Sequence, residues 1–171
     1  MRASKVFRMP RLFALSDPHL SLSGAKPMDV FGSRWDNHAE RLAANWRRLV
    51  GADDIVLIPG DISWAMRLDM AKPDLEWLAA LPGRKILLRG NHDYWWQSLG
   101  KLAALNLPDI FFVQNNHVVI DGVAVGGTRL WDFPYVKWRA DREDGEAVEG
   151  AEEPRKAAWR SAVMRVSGGT K

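Results

Sequence analysis

The chain has 171 residues, 47% of them hydrophobic, which is enough for one globular domain or a large part of one. Its 24 basic and 21 acidic side chains leave a formal net charge of +3, so bulk charge argues for neither a nucleic-acid nor a membrane partner. Cysteine is absent, which excludes disulfides and thiolate metal sites and is compatible with a reducing cytoplasm.

Residues 11–16 read as a first strand, and residues 17–34, with Pro18, Gly24, Pro27 and Gly32, as a long loop over its end. Asp36 is placed to cap a helix over about 37–50, where Leu42, Trp46, Leu49 and Val50 recur at helical spacing, and Gly51 ends it. A second strand is expected over 54–59. A helix over 73–80 follows, opened by Pro73 and closed by Pro82-Gly83. The third strand is expected over 85–89 and a third helix over 94–105. Short strands at Phe111–Val113, Val118–Ile120 and Val123–Gly127 then predict a β-meander, with a turn at Asp121-Gly122. Strand alternating with helix predicts an α/β fold with a mainly parallel sheet, βαβαβ in its first part. No apolar run approaches the ~18 residues of a membrane span, and the N-terminal stretch around Arg2, Lys5 and Arg8 is too short for a signal-peptide core. From about residue 137 the composition turns charged, dividing the chain into a domain over 1–136 and a divergent tail over 137–171. That tail has one amphipathic helical pattern over 155–166 and a disordered-looking end at 167–171.

Three fragments carry the chemistry. Asp17-Pro18-His19, Gly60-Asp61 and Gly90-Asn91-His92-Asp93 each follow a predicted strand, so the strands deliver them to one sheet edge, where open α/β sheets place their sites. Asp17 and His19, two apart on an extended segment, point the same way and can share one cation. Gly60 lets the backbone turn tightly and brings Asp61 inward, where its two oxygens can bridge two ions. Asn91 offers a neutral carbonyl oxygen. His92 beside Asp93 suits a general acid whose ring is held by a carboxylate. Two ions about 3.5–4 Å apart would neutralise a phosphate and supply a hydroxide at neutral pH. A strand-end Asp alone is often a helix cap, and a lone Asn-His is usually a turn; the ordered set is harder to explain that way. Arg89 and Arg129 are candidate phosphate contacts, with surface or packing roles equally open. Of the nine Trp, most read as packing, while Trp95 or Trp96 could wall a substrate pocket or stack on a base.

Together these fragments resemble the signature of the calcineurin-like metallophosphoesterase superfamily. Ser16–Ser21, Lys26–Gly32, Pro59–Met66 and Gly127–Pro134 further resemble a bacterial group of phosphohydrolases within it. The resemblance covers roughly residues 11–134. It implies a four-layer α/β/β/α sandwich, here its N-terminal part, and two divalent ions, commonly manganese, iron or zinc. Asp17 and His19 would hold the first, Asp61 would bridge both, and Asn91 would hold the second. His92 would be the leaving-group acid, oriented by Asp93. The expected substrate is a phosphate mono- or diester, a small molecule or nucleotide. The family's downstream metal-binding His and Gly-His-x-His fragment have no counterpart, since no His follows His117. That departure predicts a chain carrying the first half of the domain, with an uncovered apolar sheet face and a tendency to self-associate. The alternative function is accordingly a non-catalytic fragment with weak or no metal binding. Nucleic-acid processing through Trp95 and Trp96 is a third reading, which the near-even charge disfavours.

Overall fold

The computed structural model describes residues 9–24 and 26–129. The amphipathic pattern over 155–166 and the tail end at 167–171 therefore lie outside the described residues. Four strands, β1 (Leu12–Ala14), β2 (Ile55–Ile58), β3 (Arg84–Leu88) and β4 (Ile110–Val113), form one parallel sheet in the order β1-β2-β3-β4. Strands β5 (Asn116–Ile120) and β6 (Val123–Gly127) form a separate antiparallel hairpin through the predicted Asp121-Gly122 turn. Both turn residues have positive φ, 51° and 79°, as a tight two-residue hairpin requires.

The strands form where the β-branched and aliphatic runs were expected, and their two-residue period distributes those side chains between two cores. Val56, Ile58 and Leu87 face the helices, joining Ala43, Trp46, Leu75 and Leu78. Ile55, Leu57, Ile86 and Val113 face the other way and pack on Ile120 and Val125 of the hairpin. The apolar face expected to be bare is thus covered by β5–β6 over these strands.

Four element predictions are corrected. Helix α1 spans His38–Leu49 with Asn37, in a left-handed conformation, at its N-cap. Asp36 is occupied instead in closing the preceding 3-10 turn, its N–H donating to the Ser33 carbonyl. Helix α2 spans Leu68–Ala79 and contains Pro73 rather than starting there. The proline sits in the second turn, where it gives up a hydrogen bond to the Asp69 carbonyl and crowds it, and burial of the apolar series Ala71, Leu75, Leu78 carries the helix through it. Helix α3 is only Leu99–Ala103. Residues before it are held in turns, with Tyr94 N–H on the His92 carbonyl and Trp96 N–H on that of Asp93. Finally, β4 joins the parallel sheet beside β3 with α3 in the crossover, so the meander reduces to the β5–β6 hairpin.

Candidate metal centre

The carboxyl ends of β1, β2 and β3 lie side by side, and the chain segments leaving them stay in register. Asp17 N–H donates to the Gly60 carbonyl at 3.2 Å, His19 N–H to that of Asp61 at 3.0 Å, and Leu20 N–H to that of Ile62 at 2.9 Å. The Asp17–His19 segment is not extended as expected. Asp17, His19 and Asp61 all adopt positive φ, 56°, 44° and 52°. Such conformations cost non-glycine residues of order 1–3 kcal/mol each and persist where the surroundings enforce them. The enforcement at Asp61 is visible in its neighbours. A Cβ on Gly60 would fall 2.5 Å from the Gly90 Cα, and a Cβ on Gly90 would fall 2.1 Å from Asp61 Oδ1. Only paired glycines let the ends of β2 and β3 approach this closely, and that approach turns the Asp61 carboxylate toward His92.

Asp61 is the hub. Its Oδ1 accepts the His92 backbone N–H at 2.9 Å, and its Oδ2 lies 2.9 Å from His92 Nδ1 and 3.9 Å from His19 Nε2. His19 Nε2 in turn lies 3.7 Å from Asp17 Oδ1. One donor atom each from His19, Asp61 and His92 lies within 4.8 Å of the others. The His19 separations are too long for hydrogen bonds. They are compatible with a shared ion, since two atoms each about 2.1 Å from one metal stand at most about 4.2 Å apart. His19 Nδ1 is buried with no hydrogen-bond partner. Burial lowers the His19 pKa, against the opposing pull of Asp61 and Asp17, which favours the neutral imidazole that a metal requires. Burial pushes the Asp61 carboxyl up, but the hydrogen bonds and charge of His92 outweigh it and leave the pKa lowered. This mixed imidazole–carboxylate set fits a divalent first-row ion.

The other expected residues fall around this hub. Asp17 is at the rim, its side chain 54% exposed. Asn91 is exposed, its amide nitrogen 3.3 Å from His92 Nδ1. Arg89 is half-buried at the end of β3, and Arg129 is exposed beyond β6. Asp93 does not receive the His92 ring, contrary to expectation. Fully buried, it accepts N–H groups from Ile62 (2.8 Å), Ser63 (3.2 Å) and the Trp95 indole (2.9 Å) on Oδ1, and from Gly90 (2.8 Å) on Oδ2. Burial pushes its carboxyl upward while those donors pull the other way. Its backbone contacts knit the segment after Asp61 to the loop after β3, and the carboxylate that engages His92 is Asp61.

Trp95 and Trp96, read as candidate substrate walls, are 0% and 5% exposed and belong to the core. The ring that walls the cluster is Trp64, stacked on His19 at 4.8 Å and tilted against His92 at 4.7 Å between centroids. Its N–H donates to the Leu20 carbonyl, and its place three residues after Asp61 is a sequence signal too weak to single it out. Tyr94 is half-exposed beside His92, with ring centroids 6.5 Å apart.

Carboxylate and imidazole groups gathered at the ends of neighbouring parallel strands could hold a metal ion. The chain belongs to the calcineurin-like phosphoesterase family, whose profile matches residues 10–151. Its parallel sheet with helices on one face agrees with the N-terminal part of a metallophosphoesterase-like fold. It is similar to the Gene 66 protein of Mycobacterium phage D29, 34% identical over 138 residues, covering 75% of this chain and 66% of that protein. It is also similar to the Gene 66 protein of Mycobacterium phage L5, 34% identical over 159 residues, covering 82% and 75%. The crystal structure of a protein of unknown function from Aquifex aeolicus aligns over 68% of this chain and 58% of that one, with 22% identity and a TM-score of 0.44. The chain therefore spans about two thirds to three quarters of the length of the two phage proteins.

Proposed function

We propose that this chain hydrolyses a phosphate mono- or diester with the help of two divalent ions, manganese, iron or zinc, held at the ends of β1–β3. The observation that supports this most directly is the convergence of His19, Asp61 and His92 within 4.8 Å. Asp17 and His19 would hold one ion, Asp61 would lie between the two, and Asn91 would contribute to the second. Bound there, the ions would neutralise phosphate charge and activate the attacking water. The protein's own part is positional. Asp61 engages His92 Nδ1, leaving Nε2 as the nitrogen that would hand a proton to the departing alkoxide. Arg89 and Arg129 are proposed to meet substrate oxygens. Asp93 holds the loop that carries Asn91 and His92. A cysteine-free composition is compatible with work in the cytoplasm.

The test is to load the purified chain with manganese, desalt it, count ions per chain by elemental analysis, and assay phosphomonoester and phosphodiester hydrolysis. About two retained ions with metal-dependent turnover is the expected result. Asp61→Asn should cut turnover by more than the ~100-fold that outer-sphere losses reach. A folded chain that retains no ion would favour the reading of a non-catalytic fragment.

A further inference from the structure

Next to the His19–Asp61–His92 cluster, Trp64 also lines a hollow of about 360 Å³ together with Lys26, Pro27, Val30 and Phe31. We propose that it seats the flat nucleobase of a nucleotide-like phosphate ester, with Trp64 as the stacking platform. This names a substrate class for the hydrolase reading above and rests on it for the chemistry, not for the binding.

Three observations support the assignment. Trp64 stacks on His19, nearly parallel at 16°, and also lines the hollow, so one ring serves both. The Lys26 ammonium lies over the Trp64 ring, 5.1 Å from its centroid. An exposed cation on an aromatic face is held weakly, and a stacked base is the stronger partner, so a base can displace Lys26. The released ammonium then lies beside the ligand's anionic part, where its charge is useful. Second, the hollow is also lined by a 3-10 turn, Met28–Phe31, that shows Val30 and Phe31 to solvent at 71% and 66%. Large apolar side chains so exposed next to a polar site need a reason, and a base sandwiched between Phe31 and Trp64 would bury both. Third, the wall is fixed in place. The buried Met28 sulfur accepts the Trp64 indole N–H at 2.8 Å, tying the turn to the ring. Because the same ring touches His19 and His92, a base that replaces Lys26 on it would sit next to the cluster, within reach for its phosphate.

The experiment uses adenosine 5′-monophosphate and ribose 5-phosphate, which share the ester and differ by the base. Saturation-transfer NMR on the full chain without added metal reads binding alone. The adenine protons should receive strong saturation, and Phe31→Ser and Lys26→Met, both on the exposed turn region, should each change the signal: Phe31→Ser by a several-fold loss, Lys26→Met by a gain at the base. A circular-dichroism spectrum matching the wild type establishes that the variants are folded. Absence of adenine saturation in the wild type, or signals unchanged in both folded variants, overturns the proposal. With manganese present, kcat/KM should favour the nucleotide at least about tenfold over ribose 5-phosphate, and Phe31→Ser should shrink that ratio. Equal hydrolysis of the two esters would overturn the hollow's role while leaving the hydrolase reading intact. Base binding without turnover would do the reverse.

Discussion

At the level of single residues, the site depends on contacts that are backbone as often as side chain. Gly90→Ala would place a methyl 2.1 Å from Asp61 Oδ1, so the strand ends must part. Overpacking of this kind costs about 1–3 kcal/mol, and the variant should lose that in urea unfolding and retain less metal. Asp93→Asn provides a sharper distinction. The substitution turns one of two accepting oxygens into a donor facing N–H groups, which should cost about 1–3 kcal/mol of stability. Since Asp93 does not touch the His92 ring, the pH profile of turnover should stay in place; a shifted profile with full stability would restore the orienting role expected from the sequence. That role was misread because adjacency in sequence suggested adjacency in space. His92 and Asp93 leave a tight turn in different directions, one toward Asp61 and one into the core. The gathering of His19, Asp61 and His92 was legible because their residue types and their places after apolar runs are one-dimensional signals. Trp64 was not, because its importance lies in what packs on its ring.

At the level of elements, the edge of the sheet is secured by one buried carboxylate. Asp54, preceding β2, accepts the Arg11 backbone N–H at 2.8 Å, pairs with the Arg11 guanidinium at 2.7 Å, and accepts the Gly51 N–H at 2.8 Å. The Arg11 hydrogen bond is the largest influence, and with the backbone donors it drives the Asp54 pKa well below the usual carboxylate range. Because the folded value lies below the unfolded one of about 3.9, this contribution is present at neutral pH and is lost as pH falls below about 4. Arg11→Ala should therefore raise the pH at which the chain unfolds in acid, followed by circular dichroism, and the stability gap to wild type should narrow as the pH drops. Strand positions and the span of α1 were legible from the apolar patterns, whereas the cap of α1 and the starts of α2 and α3 were not. Asp36 and Pro73 are both good first-turn residues by type, and tertiary burial of Ala71, Leu75 and Leu78 decided where α2 begins. The place of β4 could not be read either, since a short apolar run looks the same whether it pairs with its predecessor or its successor.

For the molecule as a whole, a ligand held by three strand ends stabilises every contact between them. An ion at about 100 times its dissociation constant adds about 2.7 kcal/mol. In a chain of this size that corresponds to a rise in Tm of about 5–10 °C. Differential scanning calorimetry with and without manganese should show this shift, and Asp61→Asn should abolish it. The sheet order β1-β2-β3-β4 follows the order of synthesis, and the ligand fragments follow it too. On the ribosome, the fragment after β1 waits for that after β2, and both wait for the loop after β3, but none has to thread past a strand made later. The cluster can thus close as soon as residue 93 and its neighbours have cleared the exit tunnel, and a newly captured ion would hold the nascent sheet while β4 and the hairpin are still inside the tunnel.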